Sequence, residues 1–80
     1  MPRYFFDLHI DGKAQRDDTG VILETMAEVR RAAQKLLPAI GYEEIPADGD
    51  RMSIVVFVTD MDSRPVYSAT LSYSGLSLLR

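Results

Sequence analysis

Eighty residues, 46% hydrophobic and 26% charged, suffice for one small domain and rule out two. A chain this short buries only about 60% or a little more of its unfolded surface, so nearly every apolar residue is needed for the core. With no cysteine, disulfides, thiolate metal sites and cysteine nucleophiles are excluded, and a reducing compartment, the cytoplasm, is the expected location. The net charge is −3, and the deficit lies in residues 41–80, which hold six acidic and three basic groups. The one basic cluster, Arg30, Arg31 and Lys35, reads as a solvated helix face, so nucleic acid is disfavoured as a partner. No stretch approaches the roughly 20 apolar residues of a membrane span, and Asp7 and His9 break the first apolar run, so it fails as a signal peptide.

Residues 3–10 alternate, with Tyr4, Phe6, Leu8 and Ile10 on one face and Phe5, Asp7, His9 and Asp11 on the other, which predicts a strand. Asp11-Gly12 is a hairpin signal because both residues tolerate positive φ. A short return strand is expected over 14–17, a turn at Asp18-Thr19-Gly20, and extended chain through Val21 and Leu23. Thr25-Met26-Ala27-Glu28 matches a capping box. It opens a helix whose stripe is Met26, Val29, Ala33, Leu36, Leu37 and Ile40. Pro38 predicts a stop near Leu37, or a kink with a loose turn to about Glu44, because it removes a backbone bond and clashes with the preceding turn. Pro46 and Asp48-Gly49-Asp50 mark the loop that follows.

Met52–Thr59 is a run of mostly β-branched residues, expected as a central strand covered on both faces. Asp60–Pro65 is a hairpin connection, and Val66–Tyr73 alternates as a half-exposed strand. The order ββαββ gives an α+β fold of two layers, an antiparallel sheet packed on one helix, with Tyr4, Phe6, Leu8, Tyr67, Ala69, Leu71 and the helix stripe expected on the covered face. The whole chain, 1–80, is one domain with an ordered core over 3–73 and a tail over 74–80.

The opening Pro2-Arg3-Tyr4-Phe5-Phe6-Asp7, the Asp17–Gly20 turn, the helix with Ala32-Ala33, the Val-rich strand and Arg64-Pro65-Val66 form a recognisable set. Over about residues 2–72 the chain resembles a family of short alphaproteobacterial proteins classed as a domain of unknown function. The resemblance brings no catalytic or ligand residues.

Chemistry candidates are few. Asp7, His9 and Asp11 share a strand face, and His9 with Asp7 is the weak metal candidate. Along a strand rising about 3.4 Å per residue, however, Asp7 and Asp11 lie some 14 Å apart and cannot reach one ion. His9 is the one candidate general base, yet the serines lie on smooth strands without a nucleophile turn. A metal-binding or enzymatic role centred on His9 is therefore a minor alternative, and no cofactor is implied. Asp60-x-Asp62 and Asp48-x-Asp50 mimic the start of a calcium loop but lack its glycine and its closing glutamate.

The larger signal is surplus apolar surface. One helix covers one sheet face, which leaves Phe5, Val55 and Phe57 as candidate interface residues on the other. A second copy, stacked bases, or the C-terminal segment with Leu76, Leu78 and Leu79 would cover them. The leading expectation is a non-enzymatic protein-interaction domain, as a homodimer or with another protein partner. An antitoxin-like regulatory module is the alternative, resting on a hairpin followed by a capped acidic helix.

Overall fold

The computed structural model describes residues 2–48 and 50–78. Strand β1 (Arg3–Ile10) turns back through Asp11-Gly12 into β2 (Lys13–Gln15), and β3 (Val21–Ile22) follows. Helix α1 (Met26–Asp48) then leads to β4 (Arg51–Thr59) and β5 (Pro65–Ser74). The sheet is antiparallel in the order β2-β1-β4-β5, with β3 also on β1. The expected α+β two-layer fold is therefore present, with one more short strand than the sequence indicated.

The Asp11-Gly12 turn adopts φ of 49° and 84°, the left-handed conformations that such a hairpin demands. Beyond it the return strand runs in two pieces on one edge of β1: β2 pairs with Leu8–Ile10, and β3 with Arg3 and Tyr4. Between them the chain leaves the ladder, and side-chain chemistry replaces it, as described below.

The central strand is β4. Its alternate residues Met52, Ile54, Val56 and Val58 are buried and face the helix row Val29, Ala33 and Leu37. Phe6 completes the buried set, with Tyr4, Leu8, Tyr67, Ala69 and Leu71 packed around it. The predicted covered face is thus the observed one. The expectation that β4 is covered on both faces is not met. Val55 is half-buried and Phe57 exposed, because the single helix lies on one side of the sheet.

The Thr25 hydroxyl accepts the Glu28 amide at 3.2 Å, which is one half of the predicted capping box. The helix does not stop or loosen at Pro38; it runs 23 residues to Asp48, through Pro38 and Pro46. The reason is position. Pro38 lies on the exposed side, as does Gln34, whose carbonyl loses its helical donor, while Leu37, Gly41 and Ile45 continue the inward row. Burial of that row outweighs one missing bond at the surface. Gly41 lets the helix come down onto β5, since a Cβ there would lie 2.9 Å from Cδ2 of Leu71. The loop predicted from Pro46 onward shrinks accordingly, with β4 starting at Arg51; Gly49, part of that predicted turn, lies outside the described residues. Met26, placed in the apolar stripe by spacing, is exposed at the first turn.

Replacing the mid-helix proline restores a backbone donor without touching the core. Pro38→Ala is expected to raise stability by about 1–2 kcal/mol, read as a higher urea midpoint at unchanged m. A lower midpoint would mean that the ring itself contributes packing.

Candidate functional site

The face of the sheet away from α1 is the candidate site. Cross-strand register builds it in rows: Asp7 beside Phe57 and Ser68, His9 beside Val55 and Thr70, Phe5 beside Thr59. The three predicted interface residues do share this face. Their exposure differs, since Phe5 and Val55 are half-buried while Phe57 is 42% exposed. The His9 ring meets the Phe57 ring edge-on, with centroids 5.2 Å apart and planes at 82°. Around this apolar centre lie hydroxyls and carboxylates, among them Ser53, Ser68, Thr70 and Ser72. Among the described residues no element covers the face. Leu76 and Leu78, expected as one cover, are 82% and 83% exposed, and Leu79 lies outside the described residues.

The Asp7, His9 and Asp11 series is not brought together. Asp7 accepts the backbone amide of Asp17 at 2.9 Å, and Asp11 accepts that of Ser53 at 3.0 Å. Each carboxylate ties down a strand end, and His9 between them engages an aromatic ring. Among the described residues no group of three or more His, Asp or Glu side chains is placed to hold a metal ion.

A cleft of about 280 Å³ opens at the end of this face, between Phe5, Asp7, Arg16, Asp18, Thr59 and Asp60. Its acidity serves the backbone. The Asp17 carboxylate accepts amides from Phe6 at 3.1 Å, Thr19 at 3.1 Å and Gly20 at 3.0 Å. The Phe6 bond is the one that a continuous β2–β3 strand would have supplied. Partial burial raises the Asp17 pKa, but the amides of Gly20, Phe6 and Thr19 outweigh it and hold the carboxyl below its ordinary value. Gly20 sits at φ of 76° with Cγ of Arg3 2.8 Å from where a Cβ would stand, so the turn admits glycine alone without rearrangement. Across the cleft, Asp60 caps the β4–β5 turn by accepting the amides of Asp62 at 2.9 Å and Arg64 at 3.0 Å. The Arg64 amide chiefly, with the Asp62 amide and the nearby Arg64 charge, holds the Asp60 carboxyl below its usual value. A second concavity, an apolar groove of about 300 Å³, runs between β1 and the helix over Phe6, Leu8, Val21, Ala32 and Leu36.

Sequence reading treated Asp17 as part of a turn and missed its role as a hub. The signal was present, because Asp followed by Thr at the second and Gly at the third position is an Asx-turn pattern. No spacing rule tells that the same carboxylate also reaches the amide of Phe6, eleven residues earlier.

Fold and face together define a small open-faced α+β domain in which one helix backs an antiparallel sheet. The chain belongs to the family described as a domain of unknown function, DUF6894, whose model matches residues 3–72. No curated protein and no solved structure matches the chain.

Removing the hub leaves three amides without their acceptor, so Asp17→Ala is expected to cost about 1–3 kcal/mol near neutral pH. The folded-state pKa of Asp17 lies below the unfolded value of about 3.9. Its contribution is therefore complete above the unfolded value and is lost as pH falls through the folded one. Urea unfolding of both proteins across pH should show a gap that is constant near neutrality and closes in acid. A gap that persists in strong acid would show that the charge is irrelevant to the clip.

Proposed function

We propose that this protein is a non-catalytic protein-interaction domain whose recognition surface is the open sheet face centred on Phe57. The observation that carries the reading is an aromatic side chain exposed at the middle of a sheet, between Asp7 and Ser68 on the neighbouring strands. Burying an aromatic side chain contributes about 1.5–3 kcal/mol, so a partner that covers Phe57 gains what the fold forgoes. An apolar centre inside a rim of hydroxyl and carboxylate groups is also how protein interfaces are arranged. Binding is favoured over catalysis because Asp7, Asp11, Asp17 and Asp60 already hold backbone amides, and His9 leans on Phe57. The cysteine-free sequence suits a reducing compartment, and we place the protein in the cytoplasm. No helix among the described residues is long and apolar enough to cross a membrane.

The test is site-specific photo-cross-linking in cells that carry the gene natively. A photoreactive phenylalanine analogue in place of Phe57 is expected to yield one discrete adduct with another protein. The same analogue in place of Lys35, on the outward side of the helix, should yield none. An adduct formed only with a second copy would assign the face to self-association. Equal labelling from both positions, or none from Phe57, would sink the reading.

A further inference from the structure

The two edges of the sheet are built in opposite ways. The β2/β3 edge is three residues and then two, interrupted by the Asp17 clip and the left-handed Gly20. Short, broken strands of this kind cannot template a further strand. The β5 edge is ten residues long, and among the described residues its one strand partner is β4. Edge strands are ordinarily shielded from other chains by charge, proline, bulges or shortness. Here the proline is the first residue, and the register irregularity lies at the same end, at Val58/Thr59. From Pro65 to Leu78 the sequence holds no charged residue. Val66, Tyr67, Thr70 and Tyr73 are strong strand formers. One edge is closed by construction, and the other is left as a long uncharged ladder of free amides and carbonyls.

The helix says what kind of chain fits that ladder. It packs against β4 and β5, with Gly41 set down on Leu71. The row Val29, Ala33, Leu37 and Gly41 faces the sheet and is buried. Ala32 and Leu36 line the groove over β1 and mark the flank on that side. At helical spacing Arg30, Gln34, Pro38 and Tyr42 form the other flank, toward β5. All four are exposed, Tyr42 at 85%. Neighbouring strands lie about 4.8 Å apart, so a helix over the β4–β5 pair sits about half that distance inside β5. Pairing β5 with a second β5 about a two-fold axis normal to the sheet then sets the two helices about 10 Å apart. Helices pack at 8–10 Å. The operation that satisfies the open ladder thus also joins two exposed helix flanks, whereas a foreign strand without a helix at that height leaves Tyr42 and its row uncovered.

We propose that β5 is a self-association edge, at which two copies pair antiparallel so that two five-stranded sheets become one, both helices on one side. The contact is separate from the open-face reading. Phe57 points to the other side of the sheet and stays uncovered in both copies, so either proposal can fail without the other.

The experiment uses the full chain at micromolar concentration. Sedimentation should give twice the 9.0 kDa protomer mass. Thr70→Asp, an exposed change near the middle of β5 that adds a like charge to both strands of the seam, should weaken association about tenfold or more with an unchanged circular dichroism spectrum. Phe57→Asp should leave the doubled mass intact. The native chain has no cysteine, so single cysteines report the geometry directly. Among Ser68→Cys, Thr70→Cys and Ser72→Cys, the residue nearest the dyad should oxidise to a cross-linked dimer fastest, and Ser53→Cys on β4 should not. A protomer mass throughout would overturn the proposal. So would cross-linking at Phe57→Cys with none on β5, which would move self-association to the open face.

Discussion

Contact between the helix-facing side of β4 and one row of α1 is the constraint from which the rest of this molecule follows. Met52, Ile54, Val56 and Val58 supply half of the buried core, and Val29, Ala33 and Leu37 supply most of the remainder. Among the described residues there is one helix, and a side chain on a strand can face one way alone. Covering one side of β4 therefore uncovers the other. The open face around Phe57 is a direct result of where the helix sits.

The margins of the sheet are held by a different kind of force. Asp7, Asp11, Asp17 and Asp60 each accept backbone amides, and they do so where a ladder ends or is interrupted. A charged acceptor makes a stronger bond than a neutral carbonyl, which suits points where one bond stands in for a missing strand. Four of the twelve acidic residues of the chain thus serve its turns and strand ends. In the cleft at the end of the open face, the carboxylates of Asp7, Asp17 and Asp60 are accordingly engaged with backbone amides.

Much of this was legible in the sequence. Strict alternation placed β1 and β5 and named the covered side, Asp11-Gly12 placed the hairpin, and Thr25 with Glu28 placed the helix start. What escaped was long-range or compensated. Pro38 reads as a break because local rules count the lost bond, and they cannot know that the loss falls on an exposed flank while Gly41 and Ile45 keep their contacts. Ile54 to Val58 are apolar without interruption, so β4 alone does not tell which of its sides the helix covers; its register with β1 does. The candidate site was read to the same depth. Phe5, Val55 and Phe57 fall on one face of the sheet, but the neighbours that half-bury Phe5 and Val55 come from residues distant in sequence.

The hairpin arm formed by β2, the Asp17 turn and β3 joins the sheet through β1 alone. Little of it is buried, and its grip depends on one carboxylate and a handful of edge bonds. Free energies of local opening scale with such anchoring, and the arm is the part of the sheet held by the least buried surface. Closure of the arm on β1 rests chiefly on Asp17, whose carboxylate joins the Phe6 amide of β1 to the amides of its own turn.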